Sequence, residues 1–166
     1  MLASPPRPRA TPRISRTTKV LLWASIAVTT AGSLAALIAY STLPETIPIH
    51  WNAAGDVDGY GPRWSVLVLA AVWIVMVAGL VVAARYPHTF NYPVDITEAN
   101  AARVYGSGVA MMAWTVACVT LMFGALMLMS FGIDAGAVLG FALVGMLVAV
   151  VAGIVATTRA AREGTS

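Results

Sequence analysis

A histidine, an asparagine and two aspartates fall within nine positions of one another in this sequence: His50, Asn52, Asp56 and Asp58. An imidazole beside a carboxylate is the pairing that general acid–base catalysis uses, and an imidazole with two carboxylates can also gather round a divalent cation. The run Asp56-Val57-Asp58-Gly59 matches part of a calcium-binding loop. Such a loop also wants an acidic side chain at position 54 and a bidentate glutamate near position 65, where this chain has Ala54 and Ser65. Neither a metal nor a cofactor is therefore expected. The same side chains suit a structural task, with Asn52, Asp56 and Asp58 bonding the loop's own backbone while His50 caps or packs. A third use is recognition of a peptide or protein partner.

These residues sit in Leu43–Arg63, the stretch of the chain densest in special residues. Pro44 and Pro48 hold their predecessors extended, Ile47 and Ile49 alternate with polar neighbours, and Gly55-Asp56 and Asp58-Gly59 signal turns. The expectation is a short ordered extended segment with turns, lying over the mouth of a helical bundle, Trp51 and Tyr60 dipping toward the membrane interface or the helix tops. The candidate contact residues are Pro48, His50, Trp51, Asn52, Gly55, Asp56, Asp58, Gly59 and Tyr60.

The elements that must position this loop are apolar. Hydrophobic residues make up 59% of the 166 and charged residues 10%, with a mean hydropathy of +0.81; soluble domains run at roughly 45–50% and 25%. Four stretches are long enough at about 1.5 Å per residue to cross a hydrocarbon layer of about 30 Å: residues 20–40, 65–84, 107–130 and 135–158. In a bilayer such stretches must be helices, because nothing there can pair an open backbone N–H or C=O. The predicted fold class is an all-α integral membrane protein, a four-transmembrane-helix bundle with a structured non-cytoplasmic loop between helices 1 and 2. Residues 1–19 read as a disordered basic tail, interrupted by Pro5, Pro6, Pro8 and Pro12, and residues 159–166 as a second tail.

Nine of the ten Lys and Arg residues lie in the tails and the second loop, and only Arg63 in the first loop. The positive-inside rule then puts both termini in the cytoplasm of a multi-pass cell-membrane protein. Five of the basic residues crowd the first nineteen positions, which is a tail near anionic lipid and not a folded basic face, so no nucleic-acid partner is expected. The four stretches carry no formal charge, which disfavours ion or proton transport by this chain alone. Ser25, Thr29 and Ser33 recur on one face of the first helix. Gly32 and Ala36, Gly136 and Gly140, and Ala149 and Gly153 are small pairs that let helices approach, within the bundle or across a homo-oligomer. Cys118 is a small buried apolar residue in the third helix.

Between the second and third helices, Pro87 and Pro93 hold Tyr86–Val94 extended. Asp95-Ile-Thr-Glu98 then has the spacing of a capping box, predicting a helix that starts there and runs into the third span. His88 and Asn91 stand as solvated loop residues or as contacts for a cytoplasmic partner.

The run Leu43-Pro-x-x-Ile-Pro-Ile-His-Trp-Asn-x-x-Gly-x-x-Asp-Gly-Tyr-Gly61 resembles the signature of the domain of unknown function at the N-terminus of SdpI-type bacterial membrane proteins. A second block, Phe90-Asn91-Tyr92-Pro93-Val-Asp-Ile-Thr97-Glu-Ala-Asn100, resembles the segment after the second helix in many members. The resemblance implies a non-enzymatic immunity or signal-sensing protein in which the first loop meets a secreted peptide. The chain could instead be an accessory subunit packed against a membrane transporter or envelope enzyme. It could also be a membrane enzyme or metal-binding protein built on His50, Asp56 and Asp58. The expected partners are the lipid bilayer, a secreted peptide or membrane protein, and a second copy of the chain.

Overall fold

The computed structural model describes residues 7–163. It contains α1 (Arg16–Ala39), a 3-10 turn (Tyr40–Thr42), strands β1 (Thr46–Trp51) and β2 (Val57–Pro62), α2 (Ser65–Ala83), a second 3-10 turn (Pro87–Thr89), α3 (Ala101–Ser130) and α4 (Gly136–Arg162). All four α-helices are long and apolar enough to cross a membrane, with α2 the most apolar at a mean hydropathy of 3.0. A lipid bilayer is therefore this chain's environment.

The helices overrun the apolar stretches because a helix need not stop where hydrocarbon does. α1 begins at Arg16, four residues before the apolar run, since Ser15 caps it: its hydroxyl accepts from the Thr18 N–H at 3.1 Å and meets the Thr18 hydroxyl at 2.9 Å. α3 starts at Ala101 and α4 continues to Arg162, placing Arg103, Arg159 and Arg162 on helical turns. The capping-box expectation at Asp95–Glu98 is not met. Asn100 occupies the N-cap position without capping: its side chain folds back, accepting from the Thr97 N–H at 2.9 Å and donating to the Asp95 carbonyl at 3.1 Å. Those bonds hold Asp95–Asn100 as a turn, leaving the helix to begin beyond it.

Helices α1, α2 and α3 each pack on the other two, whereas α4 packs principally on α3. The expected four-helix bundle is thus a triangle of three with the fourth strapped to one of them. α3 is the most enclosed, 44% of its membrane window being buried, and α4 the least, at 11%. Trp73 of α2 fills the middle of the triangle, 1% exposed, stacked on Phe123 at 6.4 Å between ring centroids. Its ring lies where a Cβ on Gly32 would come within 2.8 Å, so the small residue at that position admits the indole. The hydroxyl face of α1 turns inward: Ser25, Thr29 and Ser33 are buried. Thr29 Oγ1, Ser33 Oγ, Thr120 Oγ1 and Trp73 Nε1 have no hydrogen-bond partner among the described residues. Along the α3–α4 seam Gly153 lies under Met111 and Gly145 under Cys118.

The expectation for residues 1–19 divides into three. Residues 1–6, with Pro5 and Pro6, lie outside the described residues. Arg7–Ser15 has no helix or strand but lies against the second loop and α3, and Arg16–Lys19 form the first turn of α1. Of the C-terminal stretch 159–166, residues up to Arg162 belong to α4, and 164–166 are likewise outside the described residues.

Candidate functional site

The Leu43–Arg63 stretch folds as an antiparallel hairpin, with Thr46 opposite Pro62, Ile47 opposite Gly61, Pro48 opposite Tyr60, His50 opposite Gly59 and Trp51 opposite Val57. The register slips twice, leaving Ile49 unpaired on β1 and Asp58 unpaired on β2. Bulges of this kind bend a strand and re-aim its side chains. Two glycines make the crossing possible. A Cβ on Gly59 would stand 2.8 Å from the His50 Cβ, and one on Gly61 would stand 2.6 Å from Ile49 Cδ1.

Asn52 organises the tip. Its side-chain oxygen accepts from the N–H groups of Ala54 at 2.9 Å and Asp56 at 3.0 Å, its own N–H donates to the Asp56 carbonyl at 2.9 Å, and its carbonyl accepts from Gly55 N–H at 3.0 Å. Gly55 adopts φ +90, a backbone conformation that favours glycine. The Asp56 carboxylate turns toward the Asn52 amide at 3.5 Å and away from His50, whose Nδ1 meets Asp58 Oδ1 at 2.5 Å. Of the three ionisable candidates the fold therefore joins His50 to Asp58 and gives Asp56 to the turn. Among the described residues no group of three such side chains is placed to hold a metal ion.

The hairpin is anchored from below. Ile47, 1% exposed, enters the core shared by α1, α2 and α3, beside Leu43, Val66 and Trp73. Trp51 packs on the Ala125, Met129 and Ala135 cluster where α3 turns into α4. At the base Arg63 lies over the Tyr40 ring at 5.3 Å, its N–H donating to the Glu45 carbonyl at 2.9 Å. Tyr60 stands 64% exposed, and Ile49 and Trp64 are exposed to lesser extents. Gly61, Arg63 and Ile47 seat the hairpin without a distinctive signal in the sequence, beyond the alternation of Ile47 with polar neighbours.

At the opposite end of the helices the second block is a small core. Tyr92 and Tyr105 pack with their ring centroids 5.8 Å apart, Phe90 lies 6.1 Å from Tyr92, and Ala101, Val104 and Ala160 complete the cluster. Burial first, and then Tyr105, push the Tyr92 phenol up to about 12, against the opposing pull of Arg7. Thr97 and Asn100 form the turn into α3, while Asn91 and Pro93 are exposed. Phe90, Tyr92, Val94, Ile96, Thr97 and Asn100 of this block thus have internal structural partners. The preceding segment closes over it: Tyr105 donates to the Pro8 carbonyl at 2.8 Å, Arg13 N–H to the Ala102 carbonyl at 3.3 Å, and Arg7 to the carbonyls of His88 and Phe90.

Residues 27–75 match a family described as a domain of unknown function, DUF1648. The match runs from the middle of α1 through the hairpin to the middle of α2. An uncharacterised protein of Archaeoglobus fulgidus is similar to this chain, 37% identical over 65 residues, which is 34% of the chain and 36% of the relative. The chain therefore matches little more than a third of that relative's length. No solved structure matches.

Proposed function

We propose that this chain is a non-enzymatic protein of the cell membrane whose Thr46–Pro62 hairpin is an extracytoplasmic recognition surface, as in SdpI-type immunity and signal-sensing proteins. One observation carries the proposal: the hairpin is fixed internally by the Asn52 turn and below by Ile47, yet leaves Tyr60, Ile49 and His50 uncovered by the rest of the chain. A pre-organised surface with exposed aromatic and aliphatic groups is what binding a partner favours, since little freedom remains to be lost. The His50–Asp58 pair stands open, its side chains 71% and 44% exposed, which disfavours acid–base catalysis there. Nine of the ten basic residues lie away from the hairpin, which favours the hairpin as the outer side. The resemblance of the Leu43–Gly61 run to the SdpI-type signature supplies the ligand class, a secreted peptide.

Two experiments test this. In a Cys118→Ser background, Ala53→Cys should react in intact cells with a membrane-impermeant maleimide; labelling only after lysis would invert the topology. Co-expression with a toxic peptide encoded beside the gene should show protection that Tyr60→Ala and His50→Ala abolish at unchanged membrane abundance. Full protection by both variants would remove the hairpin from the contact.

A further inference from the structure

A cleft of about 500 Å³ opens between the segment leading into α1 and the connection that follows α2, with Arg9 on one wall, Arg85, Tyr86 and His88 on the other, and Tyr105 at its base. Both walls are built. The Arg9 wall is pinned on either side, by Tyr105 holding the Pro8 carbonyl at 2.8 Å and by Arg13 N–H on the Ala102 carbonyl, while Arg7 ties it to the carbonyls of His88 and Phe90. Tyr86 and Pro87 are set by the 3-10 turn, in which Thr89 donates through both its N–H and its hydroxyl to the Tyr86 carbonyl.

The charges in the cleft are unbalanced. Arg7 spends its guanidinium on backbone carbonyls, but the exposed side chains of Arg9 and Arg85 make no hydrogen bond or ion pair among the described residues. No carboxylate lines the cleft. Two arginines lining one space, with no carboxylate beside them among the described residues, suit an oxyanion, and the planar fork of arginine matches the oxygens of a phosphate. The depth of the cleft selects the source. Arg85 follows the end of α2 by two residues, and the opposing wall leads into α1 at Arg16, so the cleft lies at headgroup level. Tyr86, 53% exposed, is the kind of side chain that settles there.

We propose that this cleft binds the phosphate of an anionic phospholipid, held between Arg9 and Arg85. The lipid would bridge the segment before α1 to the connection after α2, adding a link that the protein itself makes through Arg7.

Native mass spectrometry of the full chain in mild detergent tests this, with phosphatidylglycerol and phosphatidylcholine of matched acyl chains as probes. The wild type should prefer phosphatidylglycerol, and the R9Q/R85Q variant should lose about tenfold or more of that affinity, with phosphatidylcholine binding unchanged. The charge-matched variant R16Q/R159Q should keep the preference. An equal loss in both variants would mean diffuse attraction to a basic end and would overturn the site, as would a preference that survives R9Q/R85Q. Displacement of phosphatidylglycerol from the wild type by millimolar inorganic phosphate would assign the cleft to a soluble phosphate and overturn the lipid assignment. Both arginine side chains are exposed and make no bond among the described residues, and superimposable circular dichroism and thermal unfolding of the two variants would confirm that lost binding is not lost folding.

Discussion

His50 Nδ1 and Asp58 Oδ1 meet at 2.5 Å although the strand register sets Gly59, not Asp58, opposite His50. The contact exists because Asp58 is the extra residue of a bulge, swung out of the ladder toward its neighbour's partner. Since the pair is exposed, it orients the imidazole more than it stabilises the fold. Asp58→Asn should change unfolding free energy by less than about 1 kcal/mol. Thermal unfolding in detergent checks this, and a loss several times larger would show that the bulge itself depends on the carboxylate.

Gly59→Ala should be costlier than Asp58→Asn, because its Cβ would meet the His50 Cβ at 2.8 Å, and side chain and backbone must separate. Overpacking of this kind costs on the order of 1–3 kcal/mol, here confined to the hairpin. Limited proteolysis should find new cleavage between β1 and β2 with the helices intact. An unchanged digestion pattern would contradict the close crossing.

Asn52→Ala removes the acceptor for two backbone N–H groups at the tip. Hydrogen exchange at Ala54 and Asp56 should accelerate by about tenfold, the equivalent of ~1.4 kcal/mol of local opening, without a comparable change in α1–α4. Acceleration spread evenly over the chain would show that the tip is not an independent unit.

Gly32→Val should destabilise the helical triangle, since the Trp73 ring occupies the space its side chain needs. The expected cost is on the order of 1–3 kcal/mol. Trp73→Leu costs stability by itself, but in the double variant the two losses should be clearly less than additive. Strict additivity, measured by unfolding in mixed micelles, would mean that the two positions do not touch.

Tyr92→Phe tests the small core at the basic end. The folded phenol is pushed to about 12, whereas a free tyrosine titrates near 10. Its contribution is therefore complete below about pH 10, and it fades as pH rises toward 12, where the unfolded chain releases the proton first. The phenylalanine variant should hold its melting temperature better than the wild type across that window. Its neutral-pH stability should be similar, because the Tyr92 hydroxyl has no hydrogen-bond partner among the described residues. Parallel curves for the two proteins would remove Tyr92 as a source of alkaline sensitivity.

The four helices were legible because charge-free runs of about 20 residues leave the backbone one option in a bilayer. Their ends were not all so, since Arg16, Lys19 and Arg162 stand on helical turns that hydropathy excludes. An extended, turn-bearing first loop could be read from Pro48, Ile47 and Ile49. Its second strand could not, because Val57–Pro62 carries two glycines and a proline, residues depleted in strands, which here serve close crossing and an outer edge. The capping-box spacing at Asp95–Glu98 misled for a local reason: Asn100 offers the backbone of the turn a competing set of bonds. The segment Arg7–Arg13 was opaque to composition because what holds it is a set of bonds involving backbone carbonyls, to which sequence pattern is blind.

The attachment of α4 chiefly to α3 gives this chain an order of assembly. By the time α4 emerges during synthesis, α1, α2, α3 and the hairpin with its Ile47 anchor have all been made and can close on one another. That arrangement leaves room for α4 to dock last, onto a seam where Met111 and Cys118 of α3 meet Gly153 and Gly145 of α4.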